Sequence, residues 1–510
     1  MPFSTVAGVV LPDPFQRAVA AGRRHWPLAL ALALVAMWVL VPAGLNPGQW
    51  GDNFEQFVWA HSLEWGYYKH PPLPTWVLAA LIAVLGPSPA WTYLLAALCT
   101  AGTAFFTYRI AGRLLPSGLL GLTMLLWGLQ QAFSMRAQVY NHNTVMMVAV
   151  SGAAWCVLQA VASRSRGWWL AAGLAGAGAM LSKYQAVVPL AGLVVGLLLT
   201  GELTRRDSRR GLLLAIAMLA LLLTPHLAWM IRHDFATLRY ASQGGHAVPW
   251  TELGLSMVSF VAQQVRLLFP ALLFAVLLWL LPGLRSVPAT APVSGSAESP
   301  DLQRWRRSWF VALIAFPVAI TLLTCPTFGL KLQNHWGFQC LQFVALWLAW
   351  AMRGLARRPA VKVVAIALTV QLVAMGWQVG STLIDRQGAG RRDDPHYPAQ
   401  ALSKAVQADW SRLTTCPLKI VVGPSFEGGM ISTYLAKPPK VLEGGDFRKS
   451  PWVQADELHA AGAVYVSTDP ADLPEHAVMV DSMAIHVGVN AGGGRIYWAV
   501  VPPPFCEVGA

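Results

Sequence analysis

The chain has 510 residues, of which 55% are hydrophobic and 12% charged, and its mean hydropathy is +0.48. This composition excludes a soluble globular protein and is typical of a polytopic membrane protein. A net charge of +13 would suggest a nucleic-acid partner for a soluble protein. Here the arginines cluster between apolar runs, so we predict no nucleic-acid binding.

The first predicted membrane span covers residues 26–45 and follows Arg23 and Arg24. The two arginines predict a cytoplasmic N-terminal tail, residues 1–25, and no cleavable signal peptide is evident. The ~20-residue criterion predicts about eleven spans in all. The others are the apolar runs near 90–111, 117–135, 143–162, 168–182, 185–200, 211–231, 253–283, 308–325, 337–352 and 360–384.

Alternate connections between these spans are basic, as a fixed orientation requires. The predicted cytoplasmic side receives Arg109, Arg113, Arg164, Arg166, Arg205, Arg206, Arg209, Arg210, Arg304, Arg306, Arg307, Arg353, Arg357 and Arg358. Counting the short apolar segment 73–85 as a span would invert every later connection. We therefore predict an interfacial or re-entrant helix there, within a first outer loop at residues 46–89.

The composition changes after the predicted membrane domain, residues 26–384, in which 284–303 is predicted to be a flexible cytoplasmic loop. From 385 to 510 short β-type runs alternate with helical ones, which predicts a small extracytoplasmic α/β domain. The predicted strands are LKIVVG, KVLEG, AVYVS, HAVMV and RIYWAVV, with helices near 399–411, 427–436 and 452–461. Cys416 and Cys506 either form a disulfide in this oxidising compartment or remain buried thiols.

Residues 51–74 concentrate the polar side chains of the first outer loop. They include Asp52, Glu55, His61, Glu64, Lys69 and His70. Asp52 and Glu55 are spaced i, i+3, so on a helix they share a face near its positive end, where a carboxylate can serve as a general base. Asp52 also has the compatible interpretation of a helix N-cap. His61 and Glu64 we assign to a solvated face.

Basic side chains at the predicted bilayer edge suggest an anionic ligand. Lys69 and His70 are suited to a lipid phosphate, although Pro71 and Pro72 beside them also have a structural role as a helix stop. Lys183 lies between two apolar runs, where a lysine either snorkels or binds an anion. Further polar side chains predicted on this face are Tyr68, Asn141, His142, Asn143, Arg232, His233 and Lys331.

Three motifs lie on these outer connections. They are Asp52…Trp59…Trp65-Gly66-Tyr67-Tyr68-Lys69-His70-Pro71-Pro72-Leu73, Leu181-Ser182-Lys183-Tyr184 and Arg232-His233-Asp234-Phe235. Together they resemble the bacterial branch of the dolichyl-phosphate-mannose protein mannosyltransferase-like glycosyltransferases, family 39, over roughly residues 25–385. That branch has the GT-C fold and includes lipid A aminoarabinose and galacturonosyl transferases.

The resemblance implies transfer of a sugar from a polyprenyl-phosphate donor to a lipid, glycan or protein acceptor. The reaction would take place on the outer face of the bacterial inner membrane, usually with inversion. It implies Asp52 as the catalytic acid, and we take Glu55 as the second acid. We assign the donor phosphate site to Lys69, His70, Lys183 and Tyr184. We assign substrate contacts to Tyr68, Asn141, His142, Asn143, Arg232, His233 and Lys331.

The chain departs from the family pattern at two places. Many members have adjacent Asp-Glu acids, whereas Asn53 follows Asp52 here. Many also carry an acidic residue in the second outer loop, where this chain has residues 140–143, Tyr-Asn-His-Asn. That loop offers amide and imidazole contacts, so the sequence leaves a divalent metal open without indicating one, and it indicates no other cofactor.

The alternative function is a polytopic transporter or lipid flippase. Transporters place functional charges near the middle of the bilayer, commonly in paired repeats. The predicted spans contain almost no central ionisable residue, and we find no repeat. A non-enzymatic scaffold would leave the polar residues on one face unexplained, so the sequence favours the glycosyltransferase.

Overall fold

A computed structural model of the protein describes residues 14–242, 249–280, 299–329, 331–353, 361–384, 395–485 and 494–504. Most of the predicted loop 284–303 lies outside these residues, as do Arg357, Arg358 and Cys506. The loop and the cysteine pairing therefore stay predictions.

The described part is mostly helical. Its α-helices are α1 (Pro14–Leu45), α2 (Gly51–Trp59), α3 (Leu73–Leu85), α4 (Ala90–Leu114), α5 (Leu120–Gly128), α6 (His142–Ser163), α7 (Arg166–Ser182), α8 (Val187–Leu199), α9 (Arg206–Arg232), α10 (Ala236–Ser242), α11 (Trp250–Leu280), α12 (Pro300–Phe310), α13 (Phe316–Phe328), α14 (Gly337–Leu341), α15 (Val344–Ala351), α16 (Val361–Ile384), α17 (Ala399–Leu413), α18 (Ser425–Tyr434) and α19 (Ala455–Ala461).

Seven helices within the described ranges are long and apolar enough to cross a membrane. They are His25–Leu45, Ala90–Leu114, His142–Ser163, Arg206–Arg232, Trp250–Leu280, Pro300–Phe328 and Val361–Leu383. The other predicted spans coincide with the shorter helices α5, α7 and α8 and with the α14–α15 pair. The predicted helical membrane fold is confirmed, whereas the number of spans stays a prediction. Helix α3 occupies the residues expected for an interfacial helix, and its position at the interface stays a prediction.

The C-terminal part contains a five-stranded sheet in the order β2-β1-β3-β5-β4. The strands are β1 (Ile420–Gly423), β2 (Lys440–Glu443), β3 (Ala463–Ser467), β4 (Met479–Ile485) and β5 (Gly494–Val501). β1 is parallel to β2 and β3, and β5 is antiparallel to β3 and β4. Each strand overlaps one of the predicted runs, because short stretches of β-branched and aromatic residues suit a half-buried pleated surface.

Helix α2 of the first outer loop packs into the core of this sheet domain. Phe54 is fully buried in one cluster with Val421, and Trp59 is fully buried in another with Val441. Apolar side chains that share a core are removed from water together. The first outer loop therefore packs as one unit with the C-terminal strands, although more than 300 residues separate them in the sequence.

Gly429 of α18 allows α2 to approach closely, since a Cβ at this position would lie 2.9 Å from Cβ of Phe54. Gly429→Val is expected to force the two helices apart and to lower the free energy of unfolding by about 1–3 kcal/mol. Thermal unfolding of the purified protein measures this effect. Gly376→Val, at a helical glycine with nothing within 4 Å, is the control. Equal melting temperatures for the two variants would contradict the close contact.

Candidate active site

Buried amide side chains hold α2 in place. Asn53 accepts a hydrogen bond from the backbone N–H of Tyr140 at 3.0 Å and donates to Gln49 at 3.2 Å. Gln56, one turn later, accepts from the hydroxyl of Thr75 at 2.8 Å. Each of these groups would cost free energy if it were buried without a partner. The network therefore fixes α2 against α3 and against the loop that precedes α6.

Asp52 is held by Asn141 from the second outer loop. Nδ2 of Asn141 donates to Oδ2 of Asp52 at 2.7 Å. The other end of the same amide, Oδ1, caps α6 by accepting from the backbone N–H groups of Asn143 and Thr144. The interpretation of Asp52 as an N-cap is wrong, because α2 begins at Gly51 with Trp50 as its N-cap residue and without a side-chain cap bond. The carboxylate of Asp52 is therefore oriented by a helix cap of the neighbouring loop.

Lys183 extends this polar chain. Its ammonium donates to Oδ1 of Asn143 at 2.9 Å, and only 8% of the residue is exposed. Snorkelling does not describe this side chain, since it is buried. Burial lowers the pKa of Lys183 to about 8, and the charge of Asp52 partly offsets that decrease. Asp52, Asn141, Asn143 and Lys183 thus form one hydrogen-bonded cluster.

His70 and His142 lie ring to ring beside this cluster, with their planes tilted by 38°. Their ring centroids are 3.9 Å apart. Burial, and then the neighbouring His142, Lys183 and Lys69, hold the pKa of His70 well below its usual value. We therefore expect His70 to be a neutral hydrogen-bond donor, whereas the sequence suggested a cationic one.

Glu55 is buried and forms an ion pair with the half-buried Lys69. Burial alone would lower the pKa of Lys69, but Glu55 and Tyr68 together raise it above its usual value. The ammonium also lies 5.3 Å from the ring centroid of Tyr68 and 5.6 Å from that of Tyr240, within cation–π range. Glu55 therefore positions Lys69 in this structure, while Asp52 faces the second outer loop.

The buried carboxyl of Glu55 predicts a pH dependence. Burial, only partly offset by Lys69, raises its pKa to about 7. A carboxyl whose pKa is higher in the folded state contributes stability at low pH and loses it as the pH rises from about 4.5 through 7. Relative to Glu55→Gln, the wild type is expected to lose up to about 3 kcal/mol of unfolding free energy between pH 5 and pH 8. Thermal unfolding of both proteins at the two pH values tests this, and parallel curves would contradict it.

Glu443 is a site residue that the sequence analysis missed. It ends β2, is 2% exposed, and accepts hydrogen bonds from Nε1 of Trp59 at 2.6 Å, from the hydroxyl of Tyr68 at 3.1 Å and from the hydroxyl of Ser425. Burial is the main reason why the pKa of the Glu443 carboxyl is raised. The signal available in the sequence was an acidic residue at the end of an apolar strand. Nothing in the local sequence indicates that this carboxylate meets Trp59 and Tyr68 of the first outer loop.

Tyr184 follows Lys183 directly, but its hydroxyl contacts α9 and α10. Its hydroxyl lies 2.8 Å from Nε2 of His226 and 2.9 Å from Oγ1 of Thr237. Nδ1 of His226 in turn lies 2.5 Å from the carbonyl oxygen of Trp65. Tyr184 thus belongs to a network that links α9 to the first outer loop.

Three further predicted contacts also lie elsewhere. Arg232 is exposed at the last residue of α9. His233 is exposed and stacks on Trp229 with ring centroids 4.3 Å apart. Lys331 forms an exposed ion pair with Glu252 at 2.6 Å. Their role as substrate contacts remains a prediction.

The structure also describes His61, which the sequence placed on a solvated face. His61 is half-buried, so only part of this side chain meets solvent, and burial followed by the charge of Lys440 lowers its pKa to about 4. Within the described ranges, no three His, Cys, Asp or Glu side chains are grouped to hold a metal ion.

Comparison with known proteins confirms the resemblance of the sequence motifs. Residues 69–229 match the family model described as dolichyl-phosphate-mannose-protein mannosyltransferase. The lipid A galacturonosyltransferase RgtD of Rhizobium johnstonii is 26% identical over 230 residues, 44% of this chain. The match spans 48% of that relative, about half its length. The crystal structure of ArnT from Cupriavidus metallidurans bound to undecaprenyl phosphate matches this chain with a TM-score of 0.50 and 16% sequence identity. The match covers 96% of this chain and 98% of the ArnT chain. That likeness supports the fold alone.

Proposed function

We propose that this chain, as a relative of the dolichyl-phosphate-mannose protein mannosyltransferase-like glycosyltransferases, is an inverting glycosyltransferase of the bacterial inner membrane. It takes a sugar from a polyprenyl phosphate, with undecaprenyl phosphate as the carrier, and transfers it to an envelope glycolipid of the lipid A class. The reaction takes place on the outer face. The observation that carries this proposal is the cluster in which Asn141 and Asn143 join the Asp52 carboxylate to the buried Lys183 ammonium.

The cluster supplies the groups that a displacement at an anomeric carbon requires. Asp52 accepts the proton of the acceptor hydroxyl as that oxygen bonds to the anomeric carbon. The bond from this carbon to the phosphate oxygen breaks, and the polyprenyl phosphate leaves with the electron pair. A single displacement inverts the anomeric configuration. Lys183 and the neutral His70 donate hydrogen bonds to the departing phosphate, in a site from which water is largely excluded.

The C-terminal sheet domain is proposed to lie outside the membrane and to cover the site. Support comes from Glu443, which contacts Trp59 and Tyr68 of the first outer loop. In this arrangement the N-terminus is cytoplasmic. A transporter or lipid flippase is less well supported, because the matching family and the named relatives are transferases.

Release of the lipid phosphate tests the proposal. Purified full-length protein would be incubated with undecaprenyl-phosphate-linked hexoses and pentoses, with and without lipid A, and free undecaprenyl phosphate would be measured by mass spectrometry. A glycosyltransferase releases it only when sugar and acceptor are both suitable. A flippase in proteoliposomes would move the intact lipid without cleaving it, and that result would contradict the proposal.

A further inference from the structure

Arg109 and Arg113, in the last two turns of α4, have no ion-pair partner among the described residues. Both side chains are exposed. Helix α4 begins at Ala90, directly after the first outer loop. At 1.5 Å per residue, Arg113 lies about 35 Å along the helix from that loop. The two arginines are therefore at the end of the membrane domain opposite to the candidate active site.

Both guanidinium groups lie beside the same indole ring. The guanidinium carbon of Arg109 is 4.6 Å from the ring centroid of Trp155, and that of Arg113 is 5.9 Å from it. Arg113 also donates a hydrogen bond to Oε1 of Gln159. The indole and the amide are neutral, so these contacts orient the two cations without neutralising them. Two like charges beside one ring repel each other, and an anion bound between them would offset that repulsion.

These arginines line a cavity of about 810 Å³ between α1, α4, α5 and α6. No carboxylate belongs to its described lining, which includes Phe105. Phe105 is 40% exposed and lies one turn from Arg109 toward the middle of α4. A cationic wall next to an exposed apolar side chain suits the phosphate and the acyl chains of a phospholipid.

A second cavity, of about 450 Å³, adjoins the first at Gly118, which lines both. Arg307 and Arg353 line it, and both are exposed. The guanidinium carbon of Arg353 is 4.3 Å from the ring centroid of Trp350, and its Nη1 donates to the carbonyl oxygen of Trp350 at 3.0 Å. Here too, the described lining contains no carboxylate. Each of the two neighbouring cavities thus offers two guanidinium groups, which suit phosphate oxygens.

A third cavity, which also contains arginines predicted to be cytoplasmic, has a different charge balance. Its lining includes Arg164, Arg210 and the carboxylate of Asp207. Arg164 also forms an ion pair with Glu202 at 2.6 Å. Unpaired arginines are therefore not a general property of the basic connections, and the first two cavities leave the counter-charge of their arginines to a ligand.

We propose that the two cavities beside the Ser117–Leu119 turn together bind one anionic phospholipid with two phosphate groups, the chemistry of cardiolipin. Arg109 and Arg113 hold one phosphate, and Arg307 and Arg353 hold the other. Basic pockets between membrane helices on the cytoplasmic side bind such headgroups in other proteins. The site lies at the far end of α4 from the candidate active site, so this inference does not depend on sugar transfer.

Lipid titration of the wild type tests the proposal without any substitution. The probes are cardiolipin, phosphatidylglycerol and the zwitterionic phosphatidylethanolamine, each titrated into full-length protein in detergent micelles and followed by native mass spectrometry. Cardiolipin is expected to bind about tenfold or more tightly than phosphatidylglycerol, because its second phosphate is held next to the second pair of arginines. Phosphatidylethanolamine, which has no net charge, is expected to bind more weakly than either. Equal Kd values for the three lipids would overturn the proposal.

Arg113→Gln and Arg353→Gln each remove one guanidinium group, one from each cavity. Each variant is expected to raise the Kd for cardiolipin about tenfold. Arg113→Lys is expected to retain part of the affinity, since lysine keeps the charge but not the bidentate geometry. A loss of affinity in only one of the two glutamine variants would overturn the assignment of two phosphates to two cavities. Thermal unfolding of the lipid-free proteins shows which variants are folded, and the comparison of three lipids on the wild type needs none of them.

Arg210→Gln is the matched control, because Arg210 is an exposed arginine of the third cavity, next to a carboxylate. This variant is expected to bind all three lipids like the wild type. An equal rise in the Kd for cardiolipin in Arg210→Gln and Arg113→Gln would indicate general attraction to a basic surface and would overturn the proposed site.

Discussion

Asp52→Asn is expected to reduce the rate of sugar transfer by about 10²–10⁴-fold, the range that general base catalysis contributes. Asparagine has the same shape as aspartate, and its carbonyl oxygen can accept the hydrogen bond that Asn141 donates at 2.7 Å. The substitution therefore removes the proton acceptor without removing its contact. The release of undecaprenyl phosphate measures the rate, and thermal unfolding shows whether the fold is retained.

Asp481→Asn is the control for this variant. Asp481 is exposed on β4, so the same chemical change there is expected to leave the rate unchanged. A wild-type rate for Asp52→Asn would remove Asp52 from the catalytic role. A low rate accompanied by a lower melting temperature would show instead that the carboxylate contributes to folding.

Glu443→Ala is expected to lower the free energy of unfolding by about 3–5 kcal/mol, because it leaves the Trp59 indole, the Tyr68 hydroxyl and the Ser425 hydroxyl without their acceptor. The first outer loop should then separate from the C-terminal strands, with loss of sugar transfer. Thermal unfolding and limited proteolysis measure the two effects. Glu443→Gln keeps one carbonyl acceptor and is expected to be milder.

Glu457→Ala tests whether any acidic residue of the same domain has this effect. Glu457 forms an ion pair with Lys440 at 2.8 Å, with both side chains about one-third exposed. Ion pairs of this kind contribute about 0–1 kcal/mol. Similar melting temperatures for Glu443→Ala and Glu457→Ala would contradict the structural role of Glu443. If Glu443→Gln loses activity without loss of stability, Glu443 contributes to the reaction itself.

The predicted secondary structure agrees well with the described residues. Helix α3 begins and ends at the predicted residues, Leu73 and Leu85. Strand β1 lies within the predicted run 418–423. Strand β5 begins one residue before the predicted run 495–501 and ends with it. These predictions depend on local patterns of apolar residues, prolines and glycines, and such patterns reflect short-range constraints on the backbone.

Two residues that are adjacent in the sequence have different contacts in the structure. Lys183 and Tyr184 were predicted to share the donor phosphate site. The helix ends at Ser182, and the turn that follows directs the Lys183 side chain toward Asn143 and the Tyr184 hydroxyl toward His226. Side chains on consecutive residues of a turn point in different directions, so spacing alone could not separate their roles.

The sequence by itself determined the membrane-protein class and the family resemblance, and it singled out Asp52 and Lys183 as candidate site residues, because charged residues are rare in an apolar chain. Only the tertiary structure decided how these residues meet. It joined Asp52 to Lys183 through Asn141 and Asn143, paired Glu55 with Lys69, and brought Glu443 from the far end of the chain onto Trp59. Contacts between distant segments depend on how buried surfaces and hydrogen-bond partners fit together in space.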